Sequence, residues 1–341
     1  MFARTKSVVG LDLGTSAIKA VELTQNGKDI EVTGFGHVEV PADDLEARVS
    51  GIQDLMREGG FRTRRVVTSI SGKMVIIRYL SMVRMSDSEL KNAIAFEAEK
   101  YVPFPLDQCV LDCQRVDLPG DVSQSGNMNV LLVAARRAQI EDHVQTVIDA
   151  GLNPWIVDVD AFALGNAYEV NHQVPEDEDS VIAFVDVGAS KTNVNVVRGT
   201  TSLFTREISV GGKDFTDAIS RRLNISWDEA EELKREGSHD DEMLQEAVFP
   251  VIGDLTNEIQ LSFDYFENQN EREVDAIQLS GGGAQLPSFQ ESFERIFEKP
   301  ISTFNPFEGL LVNEDIDVDL LTMNAPQLAV AVGLAARLNK E

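Results

Sequence analysis

Cysteine and histidine are scarce in this chain, with two and four copies among 341 residues. Both cysteines, Cys109 and Cys113, fall in the strand-like run QCVLDCQRV, where four extended residues separate them by about 13 Å. That distance excludes a disulfide. No histidine stands beside them and the four histidines are scattered singly, so a metal held by protein side chains alone is not expected. Positive charge is scarce too: 30 Lys and Arg face 57 Asp and Glu, for a formal net charge of -27. Nucleic acid is therefore not an expected partner, because phosphate neutralisation needs a clustered basic surface. A local basic run, Arg62 to Arg65, precedes an apolar strand and reads as a solvated edge.

Long apolar runs are missing as well. The sequence predicts no window of about 18 apolar residues, hence no bilayer span and no direct membrane insertion. The start, MFARTKS, leads straight into a strand instead of a secretory apolar core, so a cytosolic location is expected. Neither common nucleotide loop is found: G-x-x-x-x-G-K-[ST] is absent, and no G-x-G-x-x-G follows the first strand.

What is present is a globular composition, 43% hydrophobic and 26% charged, in a chain long enough to divide into two lobes. Residues 7–40 read as three strands, SVVGLDLG, AIKAVELT and DIEVTGFGHVEV, broken at Gly14 and Gly27. A helix from Asp44 to Arg57 and the strand RVVTSI follow. This βββαβ order departs from a doubly wound dinucleotide domain, where a helix follows the first strand at once. Residues 73–152 read as an inserted module of strands and helices. Its first helix opens on Ser86-Asp87-Ser88-Glu89 with a capping-box spacing and stops at YVPFP.

After an acidic connection, HQVPEDEDS at 172–180, the chain begins again. VIAFVDVGASKTNVNVVR repeats the opening pattern, placing Asp186-Val-Gly188 against Asp12-Leu-Gly14 at an offset of 174 residues. An internal duplication is the economical reading. Further on, Ser226 to Glu236 is a second capped helix, 241–268 a longer one, and VDAIQLSGGGAQLPSF a buried strand running into glycines. A final helix is expected from Pro326 to Leu338.

Each D-x-G turn ends a buried strand with an aspartate, and its glycine lets the backbone reverse so that successive N–H groups point at one anion. Thr15, Ser16 and Lys19 follow the first turn; Ala189, Ser190, Lys191 and Thr192 follow the second. Facing each other across a cleft, two such turns would hold a polyphosphate from both sides, with Asp12 and Asp186 hydrogen-bonding waters of a bound Mg²⁺. One D-x-G alone is ordinary hairpin chemistry; the matched pair is the stronger signal. Gly281-Gly282-Gly283 and Ala284 end a third buried strand, where a base or ribose can lie against bare backbone.

The order D-x-G-[ST]-x-x-x-K, D-x-G, L-[SA]-G-G-x-x-x-x-P resembles the actin, Hsp70 and sugar kinase superfamily. Within it, VGLDLGTSAIKAVEL, EAEKYVPFP, NVLLVAARR, AGLNPWIVDVDAFAL, DVGASKTNVNVV, TREISVGGKDFT, SWDEAEELK and NAPQLAVAVGLAAR resemble the PilM family of type IV pilus assembly proteins, relatives of FtsA. The matches run from residue 7 to 338.

That resemblance implies an α/β, actin-like (ribonuclease H-like) duplicated two-lobe fold that clamps ATP·Mg. Its subdomains would be 1A at 1–72 and 153–178, an inserted 1C at 73–152, 2A at 179–223 and 273–323, 2B at 224–272, and a C-terminal helix at 324–341 packing on 1A. It implies Lys19 on phosphate and Gly212 and Lys213 near the ribose. The partner it implies is the cytosolic N-terminal tail of PilN, a single-pass inner-membrane protein, in a groove beside 1C; pilus motor ATPases and further copies of the chain are additional partners in its reach. The water-orienting position falls on Asp160, where relatives usually carry Glu. A carboxylate one methylene shorter implies slow or negligible hydrolysis. Ser288 stands where a glycine is usual. A small-molecule kinase and an FtsA-like division filament are the alternatives within the superfamily, although no substrate-pocket motif accompanies the first and the chain ends at LAARLNKE, directly after the last core helix, where FtsA continues into a membrane helix.

Overall fold

The computed structural model describes residues 6–41, 43–72, 75–116, 126–171, 179–238 and 241–339. The chain opens with β1 (Lys6–Leu13), β2 (Ala17–Asn26) and β3 (Asp29–Glu39), then α1 (Leu45–Glu58) and β4 (Arg65–Ile70). β1 carries Val8, Val9 and Leu11 fully buried on successive faces, as a strand covered on both sides requires. Asp44 caps α1 by accepting the Ala47 N–H at 2.9 Å.

Next comes a three-stranded antiparallel sheet of β5 (Val75–Val83), β6 (Cys109–Arg115) and β7 (Asn127–Arg136), ordered β5-β7-β6. It is covered by α2 (Asp87–Ala98), whose Ser86–Glu89 capping box is formed as the spacing predicts. Leu80, Leu90, Ile94, Val130 and Leu132 make this sheet's own core. Cys109 and Cys113 are both free thiols. The chain returns through α3 (Arg137–Asp149), β8 (Asn153–Val159) and α4 (Asp160–Val170), and Val147 of α3 joins the core beneath β1.

The second lobe comprises β9 (Val181–Val187), β10 (Thr192–Arg198), β11 (Thr201–Ile208), α5 (Gly212–Leu223), α6 (Trp227–Glu236), α7 (Glu242–Asn270), β12 (Ala276–Ser280), α8 (Phe289–Ile296) and β13 (Ile301–Thr303). Its sheet runs β11-β10-β9-β12-β13, with β9 antiparallel to β10 and parallel to β12. The first lobe runs β3-β2-β1-β4-β8, with β1 antiparallel to β2 and parallel to β4. The two sheets repeat one wiring, which is the duplication visible in the two D-x-G turns. Asp12 pairs with Lys19 in the first hairpin and Asp186 with Asn193 in the second.

β14 (Leu311–Val312) extends the first sheet beside β3, and α9 (Val318–Asn324) and α10 (Ala329–Ala335) close the chain. Two expectations need correction here. The terminal helical run begins at Val318, ahead of Pro326. It also forms a 21-residue segment, Val318–Leu338, long and apolar enough by length and composition to cross a membrane. The structure uses it otherwise, since 61% of its apolar window is buried inside the protein. α10 packs against α4 and β1 with no side chain between the backbones: a Cβ on Gly333 would lie 1.7 Å from Ala163 O, and one on Gly10 2.0 Å from Ala331 O. These helices share one cluster with both sheets, joining Val8 and Val21 to Ile182, Phe184 and Val197.

Candidate functional site

The two D-x-G turns meet. Thr15 Oγ1 and Ser190 Oγ lie 2.8 Å apart, 175 residues apart in sequence, at the mouth between the lobes. Asp12, on the buried end of β1, accepts a hydrogen bond from Lys19 Nζ at 2.8 Å. Burial pulls the Lys19 ammonium down, yet Asp12, with Asp186 and Asp160 behind it, holds it above its ordinary value. The first turn is braced by a residue that no motif announced: Arg48, reaching from α1, donates to Gly14 O at 3.0 Å and to Leu13 O at 3.2 Å.

Asp186 ends β9 opposite Ser280 of β12, whose hydroxyl donates to Oδ1 at 3.0 Å. Burial raises the Asp186 carboxyl to about 6, against the pull of Lys19 and with the push of Asp12. The second turn is stitched to the start of α5: Gly188 N–H donates to Lys191 O, Gly212 N–H to Gly188 O and Lys213 N–H to Ala189 O, at 2.9, 2.9 and 2.7 Å. Gly211 is required there, since a Cβ would stand 2.6 Å from Lys191 N. Thr192 Oγ1 turns away to Val210 O. The described residues give the N–H groups of Thr15, Ser16, Ala189 and Ser190 no acceptor, which leaves four backbone donors on the two turns open to an anion.

The three glycines divide in purpose. Gly281 has φ +86°, and a Cβ there would meet Val187 O at 2.4 Å; one on Gly283 would meet Val187 Cγ1 at 2.5 Å. Both exist to let this turn lie against β9. Gly282 is exposed, beside partly buried Ala284, and a Cβ there would meet nothing nearer than Gln327 Oε1 at 3.7 Å. Lys213 is exposed at the α5 start, and Lys234 of α6 crosses above it to Gly212 O at 3.2 Å, Thr216 Oγ1 at 2.8 Å and Glu231 at 2.6 Å. Lys234 and Glu231 lie in SWDEAEELK, whose helix was legible but whose approach to Gly212 was not. Ser288, where glycine was expected, is left-handed at φ +61°.

Asp160, first residue of α4, is not alone. Lys191 Nζ lies 3.2 Å from Asp160 Oδ2 and 3.1 Å from Glu207 Oε2. Burial lowers the Lys191 ammonium, but those two carboxylates hold it above its ordinary value. Lys191 thus brings its backbone to the second turn and its side chain to the floor of the cleft. His143 of α3 lies close enough to feel the charges of Asp160, Arg48 and Asp12. Thr68 donates to Leu11 O at 2.9 Å, so its hydroxyl must accept from His143 Nε2 at 2.8 Å, which assigns the Nε2–H tautomer. Burial depresses the His143 pKa despite Asp160 nearby.

Among the described residues no group of three or more His, Cys, Asp or Glu side chains could hold a metal ion by itself. With two buried carboxylates, Asp12 and Asp186, at the turns, the donor set fits a Mg²⁺ only if water and phosphate oxygens supply most of its ligands.

Two sheets of one wiring, with their D-x-G turns in contact at the lobe junction, define an actin-like two-lobe α/β protein. The chain belongs to the family of the type IV pilus assembly protein PilM, whose family model matches residues 10–339. A solved PilM-PilN type IV pilus biogenesis complex contains a chain 30% identical to this one, with a TM-score of 0.87, covering 98% of this chain and 99% of that one. The cell division protein FtsA of Bacillus subtilis is 24% identical over 284 residues, spanning 74% of this chain and 63% of its own length. MreB5 of Spiroplasma citri bound to AMPPNP shares the fold at 13% identity and a TM-score of 0.52, covering 97% of this chain and 95% of that one.

Proposed function

We propose that this chain is the nucleotide-controlled docking component of a type IV pilus inner-membrane complex, binding ATP·Mg between its lobes and the cytosolic N-terminal tail of a PilN-like membrane protein beside its inserted module. The observation that carries the nucleotide half is the convergence of the two duplicated turns at Thr15 and Ser190. Thr15, Ser16, Ala189 and Ser190 would hold the phosphates through backbone N–H groups and hydroxyls. Lys19 and Lys191 would neutralise phosphate charge, and Asp12 and Asp186 would position the waters of Mg²⁺. The metal supplies charge neutralisation of the phosphates when bound. Gly212, Lys213 and Gly282 would face ribose and base.

Hydrolysis is expected to be slow. Asp160 is held by Lys191 at 3.2 Å, so its carboxylate is engaged and short of the reach a water-orienting glutamate has. The nucleotide would therefore set the disposition of the lobes for long periods and report occupancy more than turnover.

The docking half is supported by family membership and by exposed apolar side chains on the module. Phe96 is 74% exposed and Tyr101 39%, flanking and within the stretch EAEKYVPFP. The subdomain division 1A, 1C, 2A, 2B is part of the same proposal, with the β5-β7-β6 sheet as 1C. Location at the cytoplasmic face of the inner membrane would follow from the partner. The test is capture on an immobilised peptide of the PilN-like N-terminal tail. Retention of the wild-type chain and reduced retention of Phe96→Ala or Tyr101→Ala are expected; no retention of the wild type would sink the docking half.

A further inference from the structure

The inserted module is fastened to the second lobe as well as the first. Glu207 of β11, in the second lobe, accepts the Gly72 N–H at 2.7 Å through the same Oε2 that faces Lys191. Gly72 is the last described residue before β5, and its φ of +90° is one that glycine adopts readily. A second link lies further along β5, where Tyr79 and Ser202 hydroxyls are 2.8 Å apart and Ser202 donates to Asn195, which donates to Ala161 O of α4. Between these two links lies a cavity of about 230 Å³ lined by Gly72, Ile77, Ala161, Asn193, Thr205 and Glu207. The start of β5 therefore has room to shift about the Tyr79 link.

We propose that Lys191 is a shared cation that reports phosphate occupancy to the inserted module: paired with Asp160 and Glu207 it keeps Gly72 fastened, and drawn to a polyphosphate it lets Gly72 go. This rests on the nucleotide reading above. Lys191 belongs to the second phosphate turn through its backbone and reaches two carboxylates through its side chain. One ammonium within reach of both neutralises their mutual repulsion. A phosphate group at Thr15 and Ser190 is a stronger, more highly charged competitor for that ammonium. Once Lys191 turns toward it, Asp160 and Glu207 face each other and the phosphate as unpaired anions in a half-buried site. Asp160 is fixed at the start of α4. Glu207, on an edge strand and the more exposed of the two at 27% against 14%, is the one that relaxes by swinging to water, and it carries the Gly72 acceptor with it. By reciprocity, a partner that displaces β5 changes nucleotide affinity by the same factor.

The test uses the full chain labelled with ¹⁵N-glycine, following solvent exchange of the Gly72 amide with and without saturating Mg·ATP. Exchange in the wild type is expected to accelerate at least about fivefold, the lower end of ordinary site-to-site coupling. Glu207→Gln keeps a carbonyl for Gly72 but offers Lys191 no charge. It is expected to bind Mg·ATP as tightly as wild type or more so, while its Gly72 exchange no longer responds to nucleotide. Glu207→Asp, which withdraws the carboxylate by one methylene, is a second variant and should exchange faster than wild type without nucleotide. Wild type that binds Mg·ATP with unchanged Gly72 exchange overturns the relay and leaves the nucleotide reading standing, as does a Glu207→Gln protein that responds like wild type. Wild type that binds no Mg·ATP overturns both.

Discussion

Thr15 and Ser190 touch hydroxyl to hydroxyl, 2.8 Å apart, although one belongs to the first turn of the first sheet and the other to its duplicate in the second. Any anion lodged between the turns must part this pair and replace its hydrogen bond with two of its own. Thr15→Ala and Ser190→Ala are each expected to weaken Mg·ATP binding by about 3- to 10-fold, the value of one or so neutral hydrogen bond. The double variant should lose less than the product of the single effects, because the two hydroxyls share a partner. Titration with a fluorescent ATP analogue measures all three; unchanged affinity in both single variants would place the phosphates elsewhere.

The Asp186 carboxyl sets a pH limit. Its folded value near 6 lies above the ordinary 3.8, so the group is protonated in the fold where it would be ionised in the unfolded chain. On its account stability is greatest at acid pH and declines as pH rises from about 4 through 6. Binding of Mg·ATP runs the other way and is expected to fall as pH drops below 6. Asp186→Asn should therefore stabilise the fold at pH 7 by at most about 3 kcal/mol, read as a higher thermal midpoint, while abolishing Mg·ATP binding. A variant that is destabilised and still binds would refute this.

Glu22 makes the opposite case, a buried carboxylate that the fold depends on. It is fully buried, accepts the Arg62 and Thr63 N–H groups at 2.6 and 3.1 Å through Oε2, and accepts Thr33 Oγ1 at 2.8 Å through Oε1. Glu22→Gln would turn an amide N–H₂ against donors on one side or the other. A loss of about 1–3 kcal/mol is expected from the clash of unpaired buried donors, readable as a lower urea midpoint with an unchanged slope.

Among the described glycines, Gly333 leaves the least room for a side chain. Adding one methyl places it 1.7 Å from Ala163 O, inside the backbone of a buried helix. Gly333→Ala is expected to cost about 3 kcal/mol or more, at the upper end of overpacking effects. Gly27→Ala offers the control: it has φ +70° but open space around it, and its cost should be limited to backbone strain of about 1 kcal/mol. Equal midpoints for the two would refute the close crossing.

Much of the fold was legible because local chemistry decided it. The matched turns at Asp12 and Asp186 disclosed the duplicated sheets, and the Ser86–Glu89 and Ser226–Glu229 boxes formed as their spacing required. Less legible were contacts that depend on where separate elements come to lie. Nothing near Arg48 marks it as the brace of Gly14, 34 residues away, and nothing near Glu207 marks it as the partner of Lys191 and Gly72. The arginines of the basic run at Arg62 to Arg65 are exposed, as a solvated edge requires, and what the sequence did not show is that Arg64 donates to Gly151 O and Arg65 lies over the Trp155 ring at 3.3 Å. The terminal run from Val318 is apolar because it is enclosed by two lobes, a cause that composition alone does not separate from a membrane.

The bare crossing of α10 over α4 has a mechanical meaning. With backbone against backbone at Gly333 and Gly10, α10 is locked to α4 and β1 of the first lobe. Its apolar side chains also belong to the cluster that reaches Ile182, Phe184 and Val197 of the second sheet, so parting the two sheets would strip a cover that one of them carries as part of its own frame.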